Sequence, residues 1–251
     1  MTNTADIKPA GELVFVTGVS RLDVLGRYLC QSPCIKSGRR RLVAYFNTSS
    51  AANAFNAAMD GIPADASSTW LVWVHQDVLL PDNWDERFLD ALRMAQQENP
   101  AIAVAGVYGV AGAPANARRA GHVLDRGSLL QEPARLPCAV DSLDELLFAV
   151  RADTRLKLDP AMGFDFYATD LVLEAQARGW VAVVVDAYCE HWSDTPAAGA
   201  IPDRIADRII RNGRAFESKW SHRFPIQISW VALQAPGDVE QFIAALRHRQ
   251  Q

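Results

Sequence analysis

Five short apolar runs, LVFVT (13–17), LVAYF (42–46), WLVWV (70–74), IAVAGV (102–107) and VAVVV (181–185), constrain the fold of this chain more than any other feature. They are apolar at nearly every position rather than at every second one, so strands built from them must be covered on both faces. Stretches with helical spacing lie between them. Within residues 84–98, Trp84, Phe88, Leu92 and Ala95 fall on one stripe, while Asp85, Arg87, Asp90 and Arg93 fall outside it. Asn83, with Glu86 three residues on, predicts a cap for this helix, and Asn99-Pro100 predicts its end. A second helix is expected over 170–178, closed by Gly179, and a third over about 202–220, with Ile205, Ile209, Phe216 and Trp220 facing the core. This alternation predicts an α/β fold with a mostly parallel sheet flanked by helices. The Pro, Gly and Ala-rich region 109–121 reads as a long loop.

A chain of 251 residues, 49% hydrophobic and 22% charged, can bury a sizeable core, and the expectation is a single domain over residues 1–251. The formal net charge of -4 argues against a nucleic-acid partner, because binding a polyanion needs clustered Lys and Arg. Arg39, Arg40 and Arg41 form the one basic run and read as a solvated loop before a strand. No stretch approaches the ~20 apolar residues that span a bilayer, and the polar N-terminus lacks a signal-peptide core. The expected location is cytoplasmic. Cys30, Cys34, Cys138 and Cys189 fit that compartment as reduced thiols, since the Cys30 and Cys34 pair has no matching second pair for zinc.

Ligands of open α/β sheets bind beyond the carboxyl ends of the strands, which directs attention to the polar residues there. The first strand ends in Thr17-Gly18-Val19-Ser20, the second in Asn47-Thr48, the third in His75-Gln76-Asp77, and the fifth leads through Asp186 to His191. In VHQDVLLPDNW (74–84) a carboxylate stands between two apolar runs, where a bare charge is costly. Asp77 therefore needs a partner, either main-chain amides of a turn or a ligand. Gly106, Gly109 and Gly112 lack the spacing of a dinucleotide loop, and no Gly-x-Ser-x-Gly elbow is present. His122 and Asp125, in GHVLDRG, read as a polar turn ahead of the alternative that they reach a bound ligand. Trp70, Trp73 and Trp84 follow core periods, whereas Trp192, beside His191 and outside a strand, is the candidate for stacking on a ligand.

VHQDVLLPDNW resembles the strand that ends in the metal-binding Asp-x-Asp motif of inverting glycosyltransferases with the GT-A fold, family-2-like, in particular the branch resembling a streptomycin-biosynthesis protein. NTSSAANAFNAAM (47–59) is similar to that family's asparagine-containing helix, and LDELLFAVR (143–151) to its acceptor-side segment. GFDFYATDLVLEAQARGWVAVVVDAYCEHWS (163–193) resembles the block with the catalytic acid and closing histidine, and FESKWSHRFPI (216–226) the terminal Lys-Trp and Pro pattern.

The resemblance implies a GT-A (Rossmann-like) domain, with a nucleotide-binding half over about 12–110 and an acceptor and catalytic half over about 138–226. It implies a hexosyltransferase-type enzyme that moves a sugar from a nucleotide-diphosphate donor to an unidentified sugar, lipid or small-molecule hydroxyl, with inversion. Asp77 and His191 would hold a divalent cation, Mn2+ or Mg2+, on the donor diphosphate. Such a cation neutralises the charge that develops on the leaving group. Thr17, Ser20, Asn47, Asn53, Gln76 and Asp77 would contact the nucleotide. Asp170 would be the general base, with Asp165 as substitute. On residue chemistry alone, His191 could equally cap a strand end and Asp170 could be a first-turn helix carboxylate. Two positions depart from the pattern: His75 stands where the motif has its first acid, and Thr169 where many relatives carry another acid. These departures leave open metal-independent catalysis, or a non-catalytic nucleotide-sugar-binding or scaffold domain of the same fold.

Overall fold

The structure, a computed structural model, describes residues 11–193 and 201–248. The chain opens with β1 (Glu12–Val19), the short helices α1 (Leu22–Arg27) and α2 (Pro33–Lys36), β2 (Arg41–Phe46), α3 (Ala51–Asp60), β3 (Thr69–Val74), β4 (Val78–Leu79) and α4 (Trp84–Glu98). It continues through β5 (Ile102–Gly106), β6 (Tyr108–Ala111), β7 (Arg118–Asp125), β8 (Ser128–Gln131), β9 (Cys138–Ala139), β10 (Ser142–Leu143) and β11 (Leu147–Arg151). The remaining elements are α5 (Tyr167–Ala177), β12 (Val181–Val184), β13 (Cys189–His191), α6 (Asp203–Trp220), β14 (Ile226–Gln227), β15 (Ala232–Leu233) and α7 (Asp238–His248).

All five apolar runs form strands of one seven-stranded sheet, ordered β2-β1-β3-β11-β5-β12-β9. β1 pairs in parallel with β2 and β3, and β5 with β12, whereas β11 and β9 run antiparallel to their neighbours. Alternate residues along each strand enter two different cores, which is why the runs carry no polar alternation. Val14, Val16, Leu71 and Trp73 pack with Phe55 and Met59 of α3 and Leu171 of α5. Leu13, Phe15, Trp70 and Val72 pack on the other face with Trp84, Phe88 and Leu92 of α4. Trp84 and Phe88 stack at 4.6 Å between ring centroids, so truncating Phe88 to alanine would cost about 3–5 kcal/mol.

Three expectations are corrected by the structure. Asn83 does precede α4, but it adopts a left-handed conformation (φ 56°) and makes no side-chain cap. The 109–121 region is not a long loop: β6 and β7 pair antiparallel across it, with one 3-10 turn between. The helix predicted over 170–178 begins three residues earlier, at Tyr167. A second sheet, ordered β10-β6-β7-β13-β4 with β8 against β7, lies beside the end of β3 and brings β4 and β13 together.

Candidate active site

The carboxyl ends of β1, β2 and β3 open into a cavity of about 330 Å3, within the range of small-molecule sites. Ser20, Asn47, His75, Gln76 and Asp77 line it, together with Trp73, Tyr167 and Arg208. Gln76 ties the first and third strand ends together. Its Oε1 accepts from the main-chain N–H groups of Ser20 and Arg21, both at 3.1 Å, and its Nε2 donates to Ser20 Oγ at 2.9 Å.

His75, Asp77 and His191 form the chemical centre of this region, with ligand atoms within 4.8 Å of one another. Pairing of β13 with both β4 and β7 places His191 there. Its Nε2 lies 3.4 Å from Asp77 Oδ1, and its Nδ1 lies 2.8 Å from Asp125 Oδ1. Burial disfavours the charged ring of His191, yet the hydrogen bonds of Asp125 and Asp77 prevail and lift its pKa to about 9. For Asp77 burial acts upward, but the His191 bond and the nearby His75 hold it below the usual carboxylate value. Burial keeps His75 neutral, helped by His191 and opposed by Asp77.

Tyr167 braces the ring of His75. The Tyr167 hydroxyl accepts from Trp73 Nε1 at 3.1 Å, donates to the Glu145 carbonyl at 3.3 Å and lies 2.9 Å from His75 Nε2. When the hydroxyl gives its proton to the Glu145 carbonyl it accepts from Nε2–H of His75, which would leave the Nδ1 lone pair for a cation. Two imidazoles and a carboxylate, one imidazole braced by a second carboxylate, fit a divalent metal site with open positions.

The second wall of the cavity comes from the start of α5 and from α6. Asp165 receives Arg208 at 2.9 and 3.0 Å and Asn212 at 2.7 Å, which aims Arg208, the cation of this wall, along the cavity. Gly163 makes this approach possible: its φ is 60°, and a Cβ there would lie 2.7 Å from Asn212 Nδ2. Phe166 takes a left-handed conformation (φ 67°) just before α5, a strain of about 1–3 kcal/mol for a bulky residue, and stacks on Phe216 at 5.3 Å.

Other residues singled out by sequence lie away from the cavity surface. Thr17 is fully buried inside β1, and its hydroxyl has no partner. Asn53 is exposed on α3, where its side chain donates to Ser49 Oγ at 2.6 Å. Asp170 is fully buried, 2.7 Å from Lys219 and 2.8 Å from Trp220 Nε1, and is not among the cavity residues. Asp125 belongs to β7 rather than to a polar turn, and its pairing with His191 had no local signal, because 66 residues separate them. Arg208 also emerges only in three dimensions, and His75, marked in the sequence as a strand-end residue that departs from the motif, joins Asp77 and His191 in one cluster. Trp192 donates its main-chain N–H to the Asp77 carbonyl at 2.9 Å, and its ring lies 6.1 Å from that of Tyr28.

Among known proteins, a region described as ATP synthase subunits region ORF 6 from Fuscovulum blasticum is 29% identical over 132 residues, which are 49% of this chain and 51% of that protein. The chain thus spans about half the length of that curated relative. Two solved structures are similar at low identity: A197 from STIV (14% identity, TM-score 0.43, 73% of this chain and 86% of that one), and S. aureus TarS 1-349 in complex with UDP-GlcNAc (9% identity, TM-score 0.46, 94% and 72%). Among the described residues, no helix is long and apolar enough to cross a membrane. The sequence profile of the glycosyltransferase-like family matches residues 41–200, and the chain belongs to that family.

Proposed function

We propose that the protein transfers a sugar from a nucleoside diphosphate donor to an acceptor hydroxyl, with inversion at the anomeric carbon. The observation that carries this reading is the cluster of His75, Asp77 and His191, of which His75 and Asp77 line the cavity at the ends of β1, β2 and β3. Ser20, Asn47 and Gln76 offer hydrogen bonds to the nucleoside, and the Arg208 guanidinium faces the space where a diphosphate would lie. His75, Asp77 and His191 would hold a divalent cation, Mn2+ or Mg2+, whose charge would neutralise the departing diphosphate. The acceptor oxygen attacks the anomeric carbon as the bond to the diphosphate breaks, and a carboxylate near the start of α5 takes the hydroxyl proton. All four cysteines are free thiols, in support of a cytoplasmic location.

The test uses thermal shift and product analysis with UDP-, GDP- and dTDP-sugars, with and without Mn2+. A Tm that rises with nucleotide concentration, more steeply with the metal, and release of nucleoside diphosphate support transfer. Binding without any release points to the non-catalytic alternative. No shift at millimolar nucleotide contradicts both.

A further inference from the structure

We propose that Glu145, in the loop between β10 and β11, is the base that removes the proton from the acceptor hydroxyl. This rests on the transferase reading above and assigns one of its steps to one residue. Four carboxylates lie around the start of α5, and their surroundings separate them: Asp144 accepts the main-chain N–H of Leu146 at 3.1 Å and closes its own turn. Asp165 is spoken for, because both its oxygens receive Arg208 and one also receives Asn212. Asp170 has one unbonded oxygen, Oδ2, but the other carries an ion pair with Lys219 and a hydrogen bond from Trp220, and the residue is 0% exposed. Glu145 keeps partial exposure as a residue, yet its Oε1 is shielded from water and has no hydrogen-bond partner.

A buried carboxylate oxygen without a partner lowers stability, typically by about 1–3 kcal/mol. An arrangement of that kind is expected where chemistry requires an open acceptor site. Its main chain borders the histidine centre. The main-chain carbonyl of Glu145 accepts from the Tyr167 hydroxyl, which contacts His75, and Arg208 of the cavity wall is near enough for its charge to act on the carboxylate. The groups that face it are Asp165, Asp144, Arg208 and the main-chain N–H of Tyr167. Burial, then Asp165 and Asp144, push its pKa well above the usual carboxylate value, against the opposing effects of Arg208 and Tyr167. Burial disfavours the ionised carboxylate, so a proton delivered to Oε1 is held more firmly than on an ordinary glutamate.

In the step, the acceptor O–H bond breaks and its proton goes to Oε1 of Glu145. The oxygen lone pair forms the new bond to the anomeric carbon, and the electron pair of the old bond leaves with the diphosphate. Water in place of the acceptor follows the same course, so the step can be followed as donor hydrolysis before an acceptor is identified.

The experiment compares the wild type with Glu145→Gln and Glu145→Asp as full chains, using UDP-glucose and UDP-N-acetylglucosamine with Mn2+ across pH 5 to 9. Glu145→Gln should lower hydrolysis about 100- to 10,000-fold, with UDP affinity unchanged and the rising limb of the pH profile abolished. Glu145→Asp should restore part of the rate together with the limb. A 13C spectrum of protein labelled at the glutamate carboxyl gives a readout independent of turnover: the resonance missing from Glu145→Gln should titrate well above the ordinary value of about 4.3. Wild-type hydrolysis in Glu145→Gln, or ordinary titration of that resonance, overturns the assignment while leaving the transferase reading intact. A wild type that binds no UDP and hydrolyses neither donor removes the transferase reading and the base with it.

Discussion

Asp125 Oδ1 lies 2.8 Å from Nδ1 of His191 and thereby turns Nε2 of that ring toward Asp77, 3.4 Å away. A carboxylate behind a metal-binding histidine fixes its tautomer and raises its basicity. Asp125→Asn should therefore weaken Mn2+ binding about 10- to 100-fold without unfolding the protein, as read by titration calorimetry with Mn2+ and UDP. Unchanged Mn2+ affinity would separate Asp125 from the metal.

The donor set makes a second prediction. Two imidazole nitrogens and one carboxylate suit Mn2+ and later first-row ions better than Mg2+, which prefers an all-oxygen shell. Nucleotide binding should be stimulated at lower concentrations of Mn2+ than of Mg2+, and His75→Asp should narrow the difference. The check is the half-saturating metal concentration for each ion in both proteins.

Asp170 is predicted to hold α5 to α6. Lys219 bridges it to Asp159 and Glu174, at 2.7, 2.9 and 3.0 Å. Burial raises the pKa of Asp170, against the bonds from Lys219 and Trp220. Asp170→Ala should lower stability by about 1–3 kcal/mol, seen in urea unfolding, while the folded variant keeps wild-type affinity for UDP. Loss of turnover in a variant of undiminished stability would return Asp170 to the chemistry.

Glu145 links activity to stability through pH. Its folded-state pKa lies above the unfolded one, so its contribution to stability is fully present below the ordinary glutamate value and is lost as pH rises through the folded value. Glu145→Gln, which cannot ionise, should match the wild type near pH 4 and become the more stable protein by pH 8. Each unit of displacement corresponds to about 1.4 kcal/mol. Melting curves of both proteins across that range provide the comparison.

The strands were legible because each apolar run feeds two cores at once, a demand visible in consecutive residues such as Thr69–Val74, all of them buried. Ser20, Asn47, Gln76 and Asp77 were legible for a related reason: parallel pairing of β1 with β2 and β3 brings those strand ends together. The partners of the site were not. Asp125 reaches His191 through the second sheet, and Arg208 reaches the cavity because Asp165, 43 residues earlier, holds it there. Neither pairing leaves a local periodicity. The surroundings of Asp170 were not legible either: a carboxylate in the first turn of a helix has the same sequence whether it faces a cavity or, as here, a lysine and an indole in the interior.

The most direct test is an anomalous difference map from crystals grown with Mn2+ and UDP, recorded at the manganese edge. One strong peak is expected in contact with His75, Asp77 and His191, bridged to the diphosphate, with the uridine toward Ser20, Asn47 and Gln76. Bound UDP elsewhere on the molecule, or UDP in this cavity with no manganese peak at the three side chains, would contradict the account.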